Sequence, residues 1–274
     1  NTKKIGFIGG GNMASSLING LIASGHSPSQ IWVSDTNPDT LQSLADNLKV
    51  NISVNNDELT KEVDVVVLAV KPQVLRIVAE KIAATLIDKD ILVVSIAAGI
   101  SQQSLSEWLG NEIAIVRCMP NTPALVLSSA TALHANDVVT DEQKDLAENI
   151  LRAVGISLWV ASESELDAVT AVSGSGPAYY FLLMEAMENA ALELGLSEAT
   201  ARLLIQQTAL GAAKIALESS EAPKTLRQRV TSPGGTTEQA IKTFEEGDYS
   251  SLVSKALHAA RDRSIEMSKE LGES

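Results

Sequence analysis

Residues 5–14 read Ile5-Gly6-Phe7-Ile8-Gly9-Gly10-Gly11-Asn12-Met13-Ala14. A short apolar run leads directly into a glycine turn that fits the pattern G-x-G-x-x-A and opens a helix. In this pattern Gly9 permits the tight turn, Gly11 lets the backbone approach a pyrophosphate, and Ala14 lets the helix pack close to the sheet. The free N–H groups at the start of the helix would then face the anion. The stretch therefore predicts a dinucleotide-binding unit of strand, turn and helix.

Alternating strands and helices extend outward from this unit through the first half of the chain. After the first apolar run, strands are predicted at residues 31–35, 63–70, 91–96, 113–117 and 155–160, with helices between them. The run Val65–Leu68 is apolar throughout, which is typical of a parallel strand that is covered on both faces. This alternation predicts a right-handed, doubly wound parallel sheet.

The second half of the chain has a helical pattern and no convincing strand after about Ser162. Residues 199–217 are apolar nearly all round, which indicates a helix buried on more than one side. A domain of about 110 residues has too small a core of its own for this, so a partner subunit is favoured. We therefore predict an α/β Rossmann-type domain over residues 1–161, followed by an all-α dimerisation domain over residues 162–274. The last helix is predicted to begin near Asp248.

Charge and composition argue against several classes of function. A formal net charge of -13 disfavours nucleic acids and anionic membranes as partners. Cys118 is the single cysteine, so no intramolecular disulfide or cysteine-based metal site is expected. The three histidines, His26, His134 and His258, have no metal-ligand spacing, so no metal is expected. Without a signal-peptide pattern or a membrane-length apolar stretch, the expected location is the cytoplasm.

The end of the second predicted strand bears on the choice of cofactor. It reads Ser34-Asp35-Thr36-Asn37. An acidic residue here normally pairs with the ribose hydroxyls of NAD and disfavours the 2′-phosphate of NADP. No Arg follows to bind that phosphate, although Ser34, Thr36 and Asn37 could donate hydrogen bonds to it. Asp35 could instead be an ordinary carboxylate at a turn, so this position leaves the cofactor choice open.

Further blocks of sequence carry a family resemblance along essentially the whole chain. They are Ala69-Val70-Lys71-Pro72, Val94-Ser95-Ile96-Ala97-Ala98-Gly99, Arg117-Cys118-Met119-Pro120-Asn121-Thr122-Pro123-Ala124, Val172-Ser173-Gly174-Ser175-Gly176-Pro177-Ala178-Tyr179 and Ser232-Pro233-Gly234-Gly235-Thr236-Thr237. Read with the glycine loop, these blocks resemble the pyrroline-5-carboxylate reductases, and the last two are the most specific.

The resemblance implies an activity, a cofactor and an assembly. The reaction would be reduction of the imine 1-pyrroline-5-carboxylate to L-proline, the last step of proline biosynthesis. NADP(H) would be the preferred cofactor and NAD(H) the alternative. The helical domain would bind substrate and interlock with that of a second copy, giving a homodimer that can assemble further as a pentamer of dimers.

The resemblance also implies which residues contact the cofactor. They are Gly9, Gly10, Gly11, Asn12, Met13, Ser34, Asp35, Asn37, Asn56, Ala69, Val70, Lys71, Pro72, Ala97, Ala98, Gly99, Met119, Asn121 and Thr122. Several follow predicted strands, and ligands of open α/β sheets bind beyond the carboxyl ends of the strands. Plainer interpretations are that Lys71 is a solvated lysine, that Pro72 only opens a helix, and that residues 119–122 form a rigid turn.

The block Ser232 to Thr237 is a glycine-rich turn that enters a helix. Thr236 with Gln239 fits a capping box, in which Thr236 would be the N-cap. The N–H groups of Gly234, Gly235, Thr236 and Thr237 are expected to converge on a carboxylate, and Ser232, at the start of the block, is expected to bind substrate with them. An ordinary capped helix start is the alternative.

Thr237 is the residue for which the resemblance implies a catalytic role. Its hydroxyl would form a hydrogen bond with the substrate nitrogen. A neutral hydroxyl is a poor general acid, so we expect either a protonated iminium to bind or a water to relay the proton.

Two rival functions differ in what the second half should contain. A 3-hydroxyacid dehydrogenase or imine reductase would be expected to carry a catalytic lysine there, and Lys214 and Lys224 lie in no motif of that kind. A non-catalytic dinucleotide sensor would need no second anion site, so the Ser232 to Thr237 turn argues against it.

Overall fold

The computed structural model describes residues 3–273. Its strands are β1 (Ile5–Ile8), β2 (Ile31–Ser34), β3 (Asn51–Ser53), β4 (Val65–Leu68), β5 (Leu92–Ser95), β6 (Ala114–Met119), β7 (Ser129–Ala135) and β8 (Gly155–Trp159). Its α-helices are α1 (Asn12–Ala23), α2 (Pro38–Leu48), α3 (Asn56–Glu62), α4 (Pro72–Ile87), α5 (Gln102–Leu109), α6 (Asp141–Arg152), α7 (Glu165–Val169), α8 (Gly176–Glu193), α9 (Glu198–Glu218), α10 (Pro223–Arg229), α11 (Thr236–Glu246) and α12 (Tyr249–Glu273). Short 3₁₀ helices lie at Pro28–Gln30 and Thr122–Val126, and a π-helical turn lies at Thr170–Gly174.

The eight strands form one sheet in the order β3-β2-β1-β4-β5-β6-β7-β8. Strand β1 pairs in parallel with both β2 and β4, so the strand order reverses beside it. In open α/β sheets such a switch point is where a ligand binds. The predicted Rossmann-type domain is thereby confirmed, and so is the all-helical second half.

The prediction of a wholly parallel sheet was wrong at one pair, because β6 and β7 are antiparallel. Sequence analysis also did not find β3 or β7. Strand β3 has three residues, of which Asn51 and Ser53 are polar, and β7 mixes serine, threonine and histidine with alanine. Neither strand has the apolar run by which a buried strand is recognised.

Two apolar layers sandwich the sheet. On one face, Ile5 and Phe7 of β1 pack in a buried cluster that includes Leu17 of α1. On the other face, Ile8 packs in a cluster that includes Leu75 of α4. Successive side chains of a strand point to opposite faces, and β1 and β4 are therefore buried along their whole length. This double burial fixes the central strands and the edge at which the glycine turn begins.

The chain forms two compact units. The first comprises the residues up to Pro177 together with those from Ala259 onward, and the second comprises residues 178–258. Within the first unit, the end of α12 packs beside Gly99, since a Cβ there would lie 3.2 Å from Cδ1 of Leu271. The predicted division after residue 161 differs from these units and stays a prediction about which segments carry each function.

The second unit exposes many large apolar side chains. Among the described apolar residues of this unit, only Ala201 and Ile205 are buried. The exposed ones include Phe181, Leu182, Leu203, Leu204, Leu210, Ile215 and Leu217. An apolar surface of this extent is unusual for a monomer and marks an interaction surface. Among residues 3–273, no helix combines the length and the apolar character that a membrane span requires.

Candidate active site

The glycine turn leaves β1 in a backbone conformation that requires glycine at its first position. Gly9 has φ +103°, and a Cβ there would lie 2.5 Å from the carbonyl oxygen of Ala69. The N–H of Gly9 donates to the carbonyl of Ser34 at 2.8 Å, which ties the turn to the end of β2. The turn is therefore wedged between the ends of β2 and β4 with no room for a side chain.

Gly11 is the N-cap of α1, and its environment is open. A Cβ built at Gly11 would meet no atom within 4 Å. The cap makes no side-chain hydrogen bond, and the first turn of α1 has no acidic residue. The N–H groups of Asn12 and Met13 have no acceptor within the helix, so they can bind an anion.

A cleft of about 460 Å³ borders this loop. Its lining residues are Gly10, Gly11, Asn12, Ser15, Asp35, Asp39, Thr40, Ser43 and Leu44. The cleft is lined by glycine, by the free N–H groups that begin α1 and by hydroxyl side chains. These groups fit the pyrophosphate and ribose of a dinucleotide.

Polar side chains converge at the end of β2. The Ser34 hydroxyl donates to Oδ1 of Asn56 at 2.6 Å, so these two predicted cofactor residues are in contact. Asn37 is the N-cap of α2, and its Oδ1 accepts from the N–H of Asp39 at 2.9 Å. Asp35 accepts from the N–H groups of Gly10 and Asn37, each at 2.8 Å. The side-chain oxygens of Asp35, Asn37 and Asn56 are thus engaged in the fold.

The residues after β4 and β5 lie at the same edge of the sheet. Lys71 is exposed as the N-cap of α4, and Pro72 is the first residue of that helix, as predicted. Ala98 is half-buried, whereas Ala97 and Gly99 are buried. Gly99 has φ +73° and lies against the end of α12. Of the small residues after β5, Ala98 therefore presents the most surface to a ligand.

The loop after β6 is held by the side chain of Asn121. Its Oδ1 accepts from the N–H of Ala130 at 2.9 Å and from the Ser129 hydroxyl at 3.0 Å. Its Nδ2 donates to the carbonyl of Ser173 at 3.0 Å, in the π-helical turn. π-Helical turns occur frequently at functional sites. Asn121 therefore has a structural use that its sequence position did not reveal.

Met119 and Thr122 lie on either side of this loop. Met119 packs its methyl group on Gly174, where a Cβ would lie only 2.4 Å from Cε. Thr122 is exposed and starts the following 3₁₀ helix. A side chain at position 174 would therefore require the flexible end of Met119 to move.

Sequence analysis missed an ion pair that involves β6, the strand before this loop. Nη1 of Arg117, on β6, is 2.9 Å from Oε1 of Glu163, and the Arg117 side chain is 7% exposed. The same Glu163 oxygen accepts from the N–H of Gln102 at 2.6 Å, at the first residue of α5. The signal was an arginine inside the apolar strand Ala114–Met119, because a buried charge requires a partner.

In the second unit, the predicted capping box at the start of α11 is absent. The N-cap is Gly235, and it makes no side-chain hydrogen bond. Thr236 is already the first helical residue, from which its hydroxyl cannot cap the helix as predicted. Gly234 has φ +72°, as this turn requires.

The prediction of four free N–H groups in this turn was also wrong for two of them. The N–H of Gly234 donates to Oε2 of Glu238 at 2.7 Å, and that of Gly235 donates to the carbonyl of Ser232 at 3.0 Å. The N–H groups of Thr236 and Thr237 start the helix and have no acceptor within it. The turn therefore has two main-chain N–H groups that can donate to an anion. The exposed hydroxyl of Ser232 and the half-buried hydroxyl of Thr237 are nearby in sequence.

Other titratable groups have structural environments. Burial raises the pKa of the Cys118 thiol well above its usual range, which makes it a poor nucleophile. Burial also lowers the pKa of His26, although a hydrogen bond that the imidazole donates to the Lys3 backbone partly opposes this. Among residues 3–273, no group of three or more histidine, cysteine, aspartate or glutamate side chains is arranged to hold a metal ion.

Comparisons with known proteins agree on one family. The model described as "Pyrroline-5-carboxylate reductase dimerisation" matches residues 163–267, and the model "NADP oxidoreductase coenzyme F420-dependent" matches residues 4–99. The pyrroline-5-carboxylate reductase of Pseudomonas aeruginosa is 50% identical over 272 residues, which is 99% of each chain. The chain belongs to the pyrroline-5-carboxylate reductase family.

Solved structures of the reductase family match over nearly the full length. The reductase of Coxiella burnetii has a TM-score of 0.94 at 49% identity and covers 98% of this chain and 99% of its own. That of Plasmodium falciparum, solved with NADP bound, has a TM-score of 0.86 at 30% identity and covers 97% and 98%.

Alanine substitutions at Gly9 and Gly11 should have different effects, the first on the stability of the fold and the second on binding of the dinucleotide. Gly9→Ala should destabilise the fold by more than about 1 kcal/mol, because of its positive φ and backbone clash. Gly11→Ala should change stability by less than about 0.5 kcal/mol. Its methyl group would occupy the open approach and weaken dinucleotide binding by about tenfold or more. Urea unfolding and cofactor titration measure the two effects, and full-strength binding by a folded Gly11→Ala variant would contradict the assignment.

Asn121→Asp should destabilise the loop after β6 by about 1–3 kcal/mol, because a carboxylate cannot donate to the Ser173 carbonyl. Asn136→Asp is the matched control, since Asn136 donates to the Ile113 carbonyl and accepts from the Ile115 N–H at the other end of β6. Both variants should unfold at lower urea concentration, but only Asn121→Asp should raise KM for the cofactor. Equal kinetic effects of the two variants would rule out a specific role for Asn121.

Proposed function

We propose that this chain catalyses the NAD(P)H-dependent reduction of 1-pyrroline-5-carboxylate to L-proline, the last step of proline biosynthesis. The observation that carries the proposal is 50% identity to the Pseudomonas aeruginosa reductase over 99% of both chains. The glycine turn that begins α1 supports cofactor binding, and the turn that begins α11 supports binding of a small carboxylate.

The proposed cofactor site uses main-chain N–H groups for the pyrophosphate, and the side chains around it include two charged ones, Asp35 and Lys71. It comprises Gly9, Gly10, Gly11, Asn12, Met13, Ser34, Asp35, Asn37, Asn56, Ala69, Val70, Lys71, Pro72, Ala97, Ala98, Gly99, Met119, Asn121 and Thr122. A bound dinucleotide would supply the hydride that reduces the imine carbon, and the ring nitrogen would gain a proton. The chain itself would hold the nicotinamide ring beside the pyrroline ring and exclude water.

The proposed substrate site is the turn that carries Ser232, Gly234, Gly235, Thr236 and Thr237. The N–H groups of Thr236 and Thr237, at the positive end of the α11 dipole, would bind the substrate carboxylate without an arginine. The Ser232 hydroxyl would add a further donor. Gly234 and Gly235 would shape the turn, since their own N–H groups are bonded within the chain.

Thr237 is the proposed catalytic residue. Its hydroxyl would form a hydrogen bond with the substrate nitrogen and fix the orientation of the imine. Because a threonine hydroxyl does not ionise near neutral pH, the proton should come from a bound iminium or from water that the hydroxyl orders.

The activity is tested by mixing the purified chain with pyrroline-5-carboxylate and each reduced cofactor and following nicotinamide absorbance. Turnover with proline as product is expected. A flat trace with both cofactors would instead support the dinucleotide sensor. Turnover with other imines or with hydroxyacids, but not with this substrate, would support the rival dehydrogenases.

Thr237→Ala should lower kcat by about tenfold or more, because the imine loses its orienting hydrogen bond, which contributes roughly 1.4 kcal/mol or more. Thr237→Ser retains a hydroxyl and should retain most of the activity. Cofactor Kd, measured by fluorescence titration, should be unchanged in both variants. Wild-type turnover in a folded Thr237→Ala variant would remove Thr237 from the mechanism.

NADPH is proposed as the preferred cofactor. The support is the NADP bound in the Plasmodium falciparum relative and the neutral side chains of Ser34, Asn37 and Asn56 at the end of β2. The alternative, NADH, has an observation of its own, because the carboxylate of Asp39 lines the cleft and would repel a 2′-phosphate. The ratio of kcat/KM values for the two cofactors decides between them.

A homodimer is proposed, with further assembly as a pentamer of dimers. The match of residues 163–267 to a dimerisation model supports self-association, and the exposed apolar side chains of residues 178–258 offer the surface for it. Further assembly rests on the family resemblance alone. The cytoplasm stays the predicted location.

Light scattering should give a mass of two or ten times the chain mass of 28.9 kDa. Leu203→Glu, on the exposed apolar surface of the second unit, should shift the mass toward one chain because it places a charge in an apolar interface. Ile77→Glu, at a similarly exposed apolar residue of α4, is the control and should leave the dimer intact. A wild-type mass of one chain at micromolar concentration would contradict the dimer.

A further inference from the structure

Both carboxylate oxygens of Asp35 are held by the main chain. Oδ2 accepts from the N–H of Gly10 at 2.8 Å, and Oδ1 accepts from the N–H of Asn37 at 2.8 Å. The first contact joins the end of β2 to the glycine turn, and the second joins it to the residue that caps α2. Hydrogen bonds to an ionised carboxylate are shorter and stronger than those between neutral groups. Asp35 therefore holds the glycine turn firmly to the start of α2.

Gly10 is enclosed on the side of α2. A Cβ there would lie 2.9 Å from Cδ1 of Leu44, 3.2 Å from Cγ2 of Thr40 and 3.4 Å from Oδ2 of Asp35. Gly10 is therefore fixed by packing against α2 and by its hydrogen bond to Asp35. Its N–H points at Asp35, whereas the next residue, Gly11, faces open space.

This geometry differs from that of an acidic residue whose oxygens are free to recognise a ribose. Such a residue selects NAD by accepting from the ribose hydroxyls and by repelling a 2′-phosphate. In this chain, each oxygen already accepts a main-chain N–H, and those bonds hold the turn in the shape that presents Gly11 and the first N–H groups of α1. Holding a loop in its binding conformation lowers the entropy cost of binding.

We propose that Asp35 is a positioning residue that preorganises the glycine turn and therefore strengthens NADH and NADPH binding by the same factor, without selecting between them. This inference rests on the proposed function, because it requires that the turn bind a nicotinamide dinucleotide.

Two variants of Asp35 in the full chain test the proposal. Asp35→Asn retains one acceptor oxygen and turns an NH₂ group toward the other main-chain N–H. Asp35→Glu keeps the charge but displaces both oxygens by one methylene. Each variant should raise the Kd of NADH and of NADPH by about tenfold. The ratio of the two Kd values should stay within about twofold of wild type in Asp35→Glu, which keeps the charge, and should change no more in Asp35→Asn than it does in Asp39→Asn. At saturating cofactor, kcat should change by less than about threefold.

Asp39→Asn is the matched charge control. Asp39 lines the same cleft, and its carboxylate has no hydrogen bond to the glycine turn among those that the structure gives for residues 3–273. Removing this charge should tighten NADPH relative to NADH and leave NADH binding unchanged. The control therefore shows how a loss of charge by itself alters the ratio of the Kd values of NADH and NADPH.

Three results would overturn the proposal. The first is that Asp35→Asn weakens NADH and leaves or tightens NADPH, which is the behaviour of a ribose-recognising carboxylate. The second is that Asp35→Glu binds both cofactors as wild type does. The third is that the wild-type chain binds neither dinucleotide, in which case the proposed function fails as well. Thermal unfolding of each variant confirms that the comparison is between folded proteins, and Asp35→Glu serves if Asp35→Asn does not fold.

Discussion

The close contact between the Gly9 backbone and the Ala69 carbonyl is the constraint on which the cofactor edge of the sheet depends. Strand β1 is hydrogen-bonded on both sides, so the residue that leaves it emerges between β2 and β4 with no space for a side chain. A positive φ at that residue turns the chain out of the sheet and places the start of α1 at the carboxyl edge. The residues that follow β2, β4, β5 and β6 leave the sheet at this same edge, which is why loops distant in sequence can border one ligand.

A second set of contacts fixes the segment that joins the sheet to the helical half. Glu163 pairs with the buried Arg117, and the Ser173 carbonyl accepts from Asn121. Between them, Asp167 accepts from the Ser264 hydroxyl of α12 at 2.7 Å. Removing one member of a buried ion pair leaves an uncompensated charge, so Arg117 and Glu163 depend on each other. These contacts explain why residues up to 177 and the end of α12 form one compact unit with the sheet.

The negative net charge of the chain repels the anionic ligands that are proposed to bind it. With a net charge of -13, it cannot rely on a general positive field to attract a dinucleotide or a carboxylate. Main-chain N–H groups at the starts of α1 and α11 offer local positive ends that do not depend on side-chain charge. The same groups attract carboxylates of the chain itself, since Asp35 binds the Gly10 N–H and Glu238 binds the Gly234 N–H. In both turns, the donors left without an acceptor begin the helix.

The sequence by itself determined the features that arise from local pattern. The glycine turn, the apolar central strands, helix α2 and the start of α12 follow from residue spacing and periodicity, and the quoted motif blocks identify the family. Tertiary structure alone decided which donor meets which acceptor. The antiparallel β7, the cap at Gly235 in place of Thr236, the contact of Asp35 with Gly10 and the pair of Arg117 with Glu163 could not be derived from the sequence. The last two join residues 25 and 46 positions apart, and a polar side chain has several partners within reach until the packed sheet fixes their distances.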